Sequence, residues 1–117
     1  MKKILYSAIF GAFLATMSPT VAQAKAAKCD VTLSGNRYVG PCDFVSGKKG
    51  SFELFFPEKA EDIIETSYMV VDIISTGVAR LSGTVPGLGK LNDWGIVRRD
   101  PKKPACWIDG MDRICVY

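Results

Sequence analysis

At 117 residues, 48 % of them apolar and 23 % charged, the chain has material for one hydrophobic core and not for two. It contains no histidine, which excludes Ser-His-Asp and Cys-His nucleophile systems and takes away the commonest zinc ligand. Its formal charge of +3 is too small for the dense basic face that a nucleic-acid backbone requires.

The chain begins as an export signal. Met1-Lys2-Lys3 is a short basic start, residues 4–17 are apolar apart from small residues, and Val21-Ala22-Gln23-Ala24 is a small-x-small cleavage site. Cleavage after Ala24 is expected to remove residues 1–24 and leave one domain over residues 25–117; a cut after Ala26 fits the same rule and changes nothing later. The apolar run is short for a hydrocarbon span of about 20 residues, and Pro57, Glu58, Asp72 and Arg80 interrupt every later apolar stretch. The mature protein is therefore expected to be soluble, without a membrane anchor, and periplasmic or secreted. Lys2 and Lys3 leave with the signal, which lowers the net charge from +3 to +1.

After the signal the apolar segments are short, rich in Val, Ile, Phe, Tyr and Thr, and separated by Gly, Pro, Asn and Asp, which is the vocabulary of strands. Strands are predicted near residues 30–34, 38–45, 51–56, 68–75, 79–84, 95–99, 106–108 and 113–116. About eight short strands predict a mainly β domain, a small antiparallel barrel or sandwich. Gly47-Lys48-Lys49-Gly50 reads as a turn and residues 83–90 as a longer Gly-rich surface loop. Pro57, followed by Glu58, Glu61 and Asp62 with Ala60, Ile63 and Ile64 on one face, predicts one or two helical turns. In the strand over 51–56, Phe52, Leu54, Phe55 and Phe56 put apolar groups on both faces, which predicts a second layer of the same domain against one of them.

Four cysteines delivered to an oxidising compartment are expected to pair, and three pairings are open to them. If Gly35-Asn36 is a two-residue type II′ turn, Cys29 falls opposite Cys42, and Cys29, Val31 and Leu33 share a face with Tyr38 and Gly40. Pro41 cannot donate to that ladder, so its strand is an edge or carries a bulge there. If residues 109–112 form a four-residue loop, Cys106 falls opposite Cys115 and Trp107 opposite Ile114. The rival pairings, Cys29 with Cys106 or with Cys115, would instead tie the ends of the domain together. Cys-x-x-Cys is absent, so the expected role of all four is structural.

No catalytic, metal or cofactor constellation emerges, and the chain is not expected to be an enzyme. Asp72 lies between Val70-Val71 and Ile73-Ile74, where an interior acid is conceivable; alternation instead sends it outward, solvated or beside Arg80. Gly87-x-Gly89-Lys90 lacks the spacing of a phosphate loop. Arg98, Arg99, Lys102 and Lys103 are the only local basic cluster, and Asp100 dilutes it, so no nucleic-acid partner is expected. Of the two tryptophans, Trp107 is expected to pack over its neighbouring disulfide and Trp94 to be partly exposed.

Gly40-Pro41-Cys42, Gly50-Ser51-Phe52, Gly77-Val78-Ala79, Trp94-Gly95, Ala105-Cys106-Trp107 and Ile114-Cys115 occur in an order that resembles a group of small exported bacterial proteins with an early Gly-Pro-Cys and a closing Cys-Trp…Ile-Cys hairpin. The resemblance implies the fold and the bridges; no catalytic or binding residue carries over from it. In export, size and strand content the chain is also similar to the small periplasmic β-barrel inhibitors of lysozyme, which act by inserting a loop into an enzyme cleft. For that role the mature charge of +1 supplies little steering, but Glu58, Glu61, Asp62 and Glu65 form a local acidic face.

The expected function is therefore a binding or interaction module of the bacterial envelope or the outside of the cell, with a protein of envelope or host as partner. Inhibition of a lysozyme-like or other enzyme and binding of cell-wall glycan are the alternatives. The residues expected to meet the partner are Trp94, Val85, Pro86, Gly87 and Leu88.

Overall fold

Period-two alternation turns the predicted strands into a closed wall. The structure, a computed structural model, describes residues 23–117. The expected export signal, residues 1–24, lies outside the described residues except for Gln23 and Ala24. Strands β1 (Lys25–Leu33), β2 (Asn36–Ser46), β3 (Phe52–Phe55), β4 (Tyr68–Ser75), β5 (Val78–Thr84), β6 (Leu91–Arg99), β7 (Cys106–Asp109) and β8 (Asp112–Val116) follow one another around a barrel, each antiparallel to the next. β1 pairs with β8 over Cys29↔Val116 to Thr32↔Arg113, which closes it. The sandwich alternative is thereby excluded, and closure leaves the sheet without an outer edge.

Inward positions recur at every second residue: Cys29, Val31 and Leu33; Tyr38 and Cys42; Phe52 and Leu54; Met69 and Val71; Ala79 and Leu81. With Val97, Trp107 and Ile114 they fill the barrel as one core, so the interior is packed rather than hollow. Phe56 continues the inward run of β3 and meets Tyr38 edge to face at 6.2 Å. Phe55 points out of the barrel against Tyr68, ring centroids 4.8 Å apart, and no second layer covers it. A strand in a single closed wall has only one dry face, which is why the second layer predicted there is absent. On that outer face Tyr68 donates to Glu53, and burial together with that carboxylate pushes its phenol up to about 12.

Both local disulfides form, Cys29–Cys42 and Cys106–Cys115, and no cysteine is free among the described residues. The first hairpin differs in register from the prediction. Its turn is Ser34-Gly35, both with positive φ (52° and 88°), so Leu33 faces Asn36 and Cys29 faces Gly40. Two positive-φ residues make a type I′ turn, with Gly second, where the II′ reading placed Gly first. The slip is of two residues, so every side chain keeps its face and the bridge becomes a diagonal one. The second hairpin has the predicted register, Cys106↔Cys115 and Trp107↔Ile114, around a two-residue turn at Gly110-Met111 rather than a four-residue loop. Trp107 and Ile114 join the core, whereas Cys106–Cys115 lies on the other face of the same hairpin, so Trp107 does not pack over the bridge beside it. What covers its ring is the guanidinium of Arg99, 4.7 Å from the centroid.

Pro41 sits where its missing N–H costs nothing. Its partner Lys28 exchanges backbone hydrogen bonds with Tyr117 on the far side, and β3 joins β2 only from Asp43 onward. The predicted helix is α1 (Glu58–Ile64), with Ala60 and Ile64 buried and Ile63 exposed, as a 100° step per residue requires of a face that spans 60 and 64 only.

Candidate binding surface at one barrel mouth

An up-and-down barrel sends alternate connections to the same end. The β1–β2 turn, the β3–β4 connection with α1, the β5–β6 loop and the β7–β8 turn therefore share one mouth, and side chains tie them in pairs. Asp112 Oδ1 accepts the Ser34 N–H at 3.0 Å, which joins the two hairpin turns. Thr66, fully buried, places its Oγ1 3.0 Å from the Tyr68 carbonyl and 3.1 Å from Thr84 Oγ1, which joins the exit of α1 to the end of β5.

Immediately after Thr84 the chain turns over Val85-Pro86-Gly87-Leu88, closed by the Leu88 N–H on the Val85 carbonyl at 3.1 Å. Pro at the second position and Gly87 at the third, with φ of 85°, match a type II turn. Within the span 83–90 read as a loop, Gly83 and Thr84 belong to β5, so the protruding part is short and hydrogen-bonded.

Trp94 reaches this mouth through a β-bulge. Leu81 pairs with Gly95 and Ser82 with Asp93, so Trp94 is the extra residue, and Gly95 absorbs the bend with φ of 103°. Asp93 pins the bulge from both oxygens: Oδ1 accepts the Gly95 N–H at 2.9 Å and Oδ2 accepts from Arg80 at 2.7 Å. The Gly95 N–H and then the Arg80 guanidinium hold the Asp93 carboxyl below its ordinary value of 3.8. Re-aimed in this way, the indole leans over Gly83, half-buried against the core.

The result is a hollow of about 480 Å³ walled by Leu33, Ser34, Ile64, Glu65, Val85, Pro86, Trp94 and Asp112. Of the residues expected to meet a partner, Val85, Pro86 and Trp94 line it, while Gly87 and Leu88 form the exposed tip beside it. Around the rim Ile63, Leu88, Leu91 and Met111 are exposed, Met111 to 78 %. Carboxylates outnumber cations at the same end: Glu58, Glu61, Asp62 and Glu65 on and after α1, and Asp109 and Asp112 at the last hairpin, against Lys59 in α1 and Lys90 in the β5–β6 loop. Leu33, Ser34, Ile64 and Asp112 are not among the site residues the sequence points to, and Glu65 is anticipated only as part of the acidic face. The alternation of ends in a meander is the one signal that would have grouped them with Val85 and Trp94.

Asp72 is exposed and accepts from Ser51 Oγ at 3.2 Å. It faces Arg80 across the sheet, but the ion pair of Arg80 is with Asp93. Among the described residues no three His, Cys, Asp or Glu side chains stand close enough to hold one metal ion. No family model, curated protein or solved structure matches the chain.

Proposed function

We propose that the protein is an exported binding module that recognises a basic protein through the mouth framed by Trp94, Ile64 and the Val85–Leu88 turn. The observation that carries this reading is the coincidence, at one end of a rigid barrel, of exposed apolar side chains with an excess of carboxylates over cations. An apolar tip gives contact area that can be desolvated, and the acidic surround selects and steers a cationic partner. The turn is held by hydrogen bonds at its base, so little ordering cost falls on binding. Inhibition of a lysozyme-like enzyme is the concrete form of the proposal, because such enzymes are basic and present a cleft that an apolar turn can enter. The reading is of binding rather than chemistry: the chain has no histidine, and its one candidate interior acid, Asp72, faces solvent.

The test is binding of the mature, oxidised protein to a lysozyme panel of graded charge by surface plasmon resonance, with muramidase inhibition measured in parallel. Affinity is expected to rise with the partner's positive charge and to fall on the order of tenfold or more in Leu88→Ser and in Trp94→Ala. Retention on peptidoglycan, lost in Trp94→Ala, without affinity for any basic protein would transfer the site to glycan.

A further inference from the structure

The opposite mouth has the complementary character. The start of β1, the β2–β3 turn, the β4–β5 turn and the β6–β7 loop meet there beside Tyr117. They bring together Lys25, Lys48, Lys49, Arg98, Arg99, Lys102 and Lys103 from three separate stretches of chain. None of these seven takes part in an ion pair, since the three pairs among the described residues are Arg37–Asp30, Arg80–Asp93 and Arg113–Asp100. Asp100, the carboxylate within the cluster, is occupied by Arg113 at 3.3 Å and by the Lys102 N–H at 2.9 Å. The dilution expected of it in the sequence is therefore largely cancelled.

Between the cations the surface is apolar. A hollow of about 430 Å³ is walled by Phe44, Phe52, Trp107 and Val116, with Lys25 and Arg99 among its lining residues. A smaller one adjoins it across Gly50 and Arg99 and is lined by Ile73 and Ile74, of which Ile74 is 52 % exposed. Tyr117, also exposed, completes the end.

We propose that this end is a membrane-docking face, seated on an anionic lipid surface with the lysines at the phosphates and Ile74 and Tyr117 in the interfacial layer. Unpaired cations interleaved with exposed apolar groups match a surface that offers phosphate charge above hydrocarbon. A nucleic acid would use the charge but leave the exposed Ile74 unused, and it would find only one exposed aromatic face at this end, Tyr117, because Trp107 is buried beneath Arg99. Docked this way, the barrel holds the Trp94 mouth away from the bilayer. The inference does not depend on that mouth's role, because it rests on different residues.

The test is sedimentation of the mature, oxidised protein with vesicles of phosphatidylcholine alone and of phosphatidylcholine with phosphatidylglycerol, at low and physiological salt. Each basic side chain at such a surface is worth about fivefold in partition. Lys25→Glu/Lys48→Glu/Lys49→Glu, all at exposed positions without side-chain partners, is expected to lower partition to the anionic vesicles on the order of a hundredfold or more. Ile74→Ser is expected to lower it severalfold without altering the salt dependence. Glu58→Lys/Glu61→Lys, at the other mouth, is expected not to lower it. Equal partition to both vesicle types, loss in the Glu58/Glu61 variant, or a DNA duplex bound as tightly as the anionic vesicles at the same salt would each overturn the proposal.

Discussion

The indole of Trp94 occupies the space where a side chain on Gly83 would begin: a Cβ built there would overlap the six-membered ring and lie only 2.8 Å even from Cζ2. Glycine at 83 is thus a condition for the bulge at 94 to aim inward. Gly83→Ala is expected to expel the indole from its seat and to destabilise the domain by about 1–3 kcal/mol. Urea unfolding measures the loss. Tryptophan emission identifies its cause by a red shift, since Trp107, the other tryptophan, is buried elsewhere in the core.

Thr66 is the one buried polar residue of the described chain, and its hydroxyl joins α1 to β5. Thr66→Val conserves shape but takes the hydroxyl donor from the Tyr68 carbonyl and leaves Thr84 Oγ1 only its longer contacts to Ser67, at an expected cost of about 1–3 kcal/mol. Amide exchange in residues 85–90 is expected to accelerate more than in β1 or β8. Uniform acceleration across the barrel would contradict a local pinning role.

The two bridges enclose separations of 13 and 9 residues, for which chain entropy assigns each about 3 kcal/mol. Cys29–Cys42 belongs to the barrel core, and Cys106–Cys115, on the opposite face of its hairpin, is equally buried. Cys29→Ala/Cys42→Ala and Cys106→Ala/Cys115→Ala are therefore each expected to lower the urea midpoint, because either change frees the unfolded chain and leaves a void where buried sulfurs stood.

Three carboxyls sit below their ordinary value of 3.8: Asp30 through the Arg37 guanidinium, Asp93 through the Gly95 N–H, and Asp100 through the Lys102 N–H. A carboxyl with a depressed folded-state pKa binds protons more readily when the chain is unfolded. Its contribution is complete above the unfolded value and is lost as pH falls through the folded one. Stability is therefore expected to be flat in this respect from neutrality down to about pH 4 and to decline below it. Asp93→Asn is expected to flatten part of that decline, as read from urea midpoints across the acid range.

Much of the wall is legible in the sequence, and the reason is physical. β4 was placed at its observed limits because Met69 and Val71 alternate with outward residues in an unbroken run. The β7–β8 pairing followed because two cysteines and a short Gly-containing turn leave little freedom between them. β6 was placed four residues too short at its start because the bulge at Trp94 breaks the period that marks a strand. The β1–β2 turn lies one residue earlier than predicted, and the register slips by two, because Ser34, which has a side chain, adopts a positive φ ahead of Gly35. Of the surface at the mouth, the part carried by one stretch of chain, Val85 to Leu88, was visible beforehand. The part assembled from four connections was not.

By itself the sequence determined what depends on near neighbours: strand periods, turn residues, the two short-range bridges and the solvated setting of Asp72. Only the tertiary structure decided that the sheet closes, that the connections alternate between two mouths, and that carboxylates are in excess at one while unpaired cations are in excess at the other. Closure joins β1 to β8 across almost the whole domain, and no local preference encodes a contact of that separation. A net charge near zero likewise carries no trace of its polarity, which arises only when the meander sends successive connections to opposite ends.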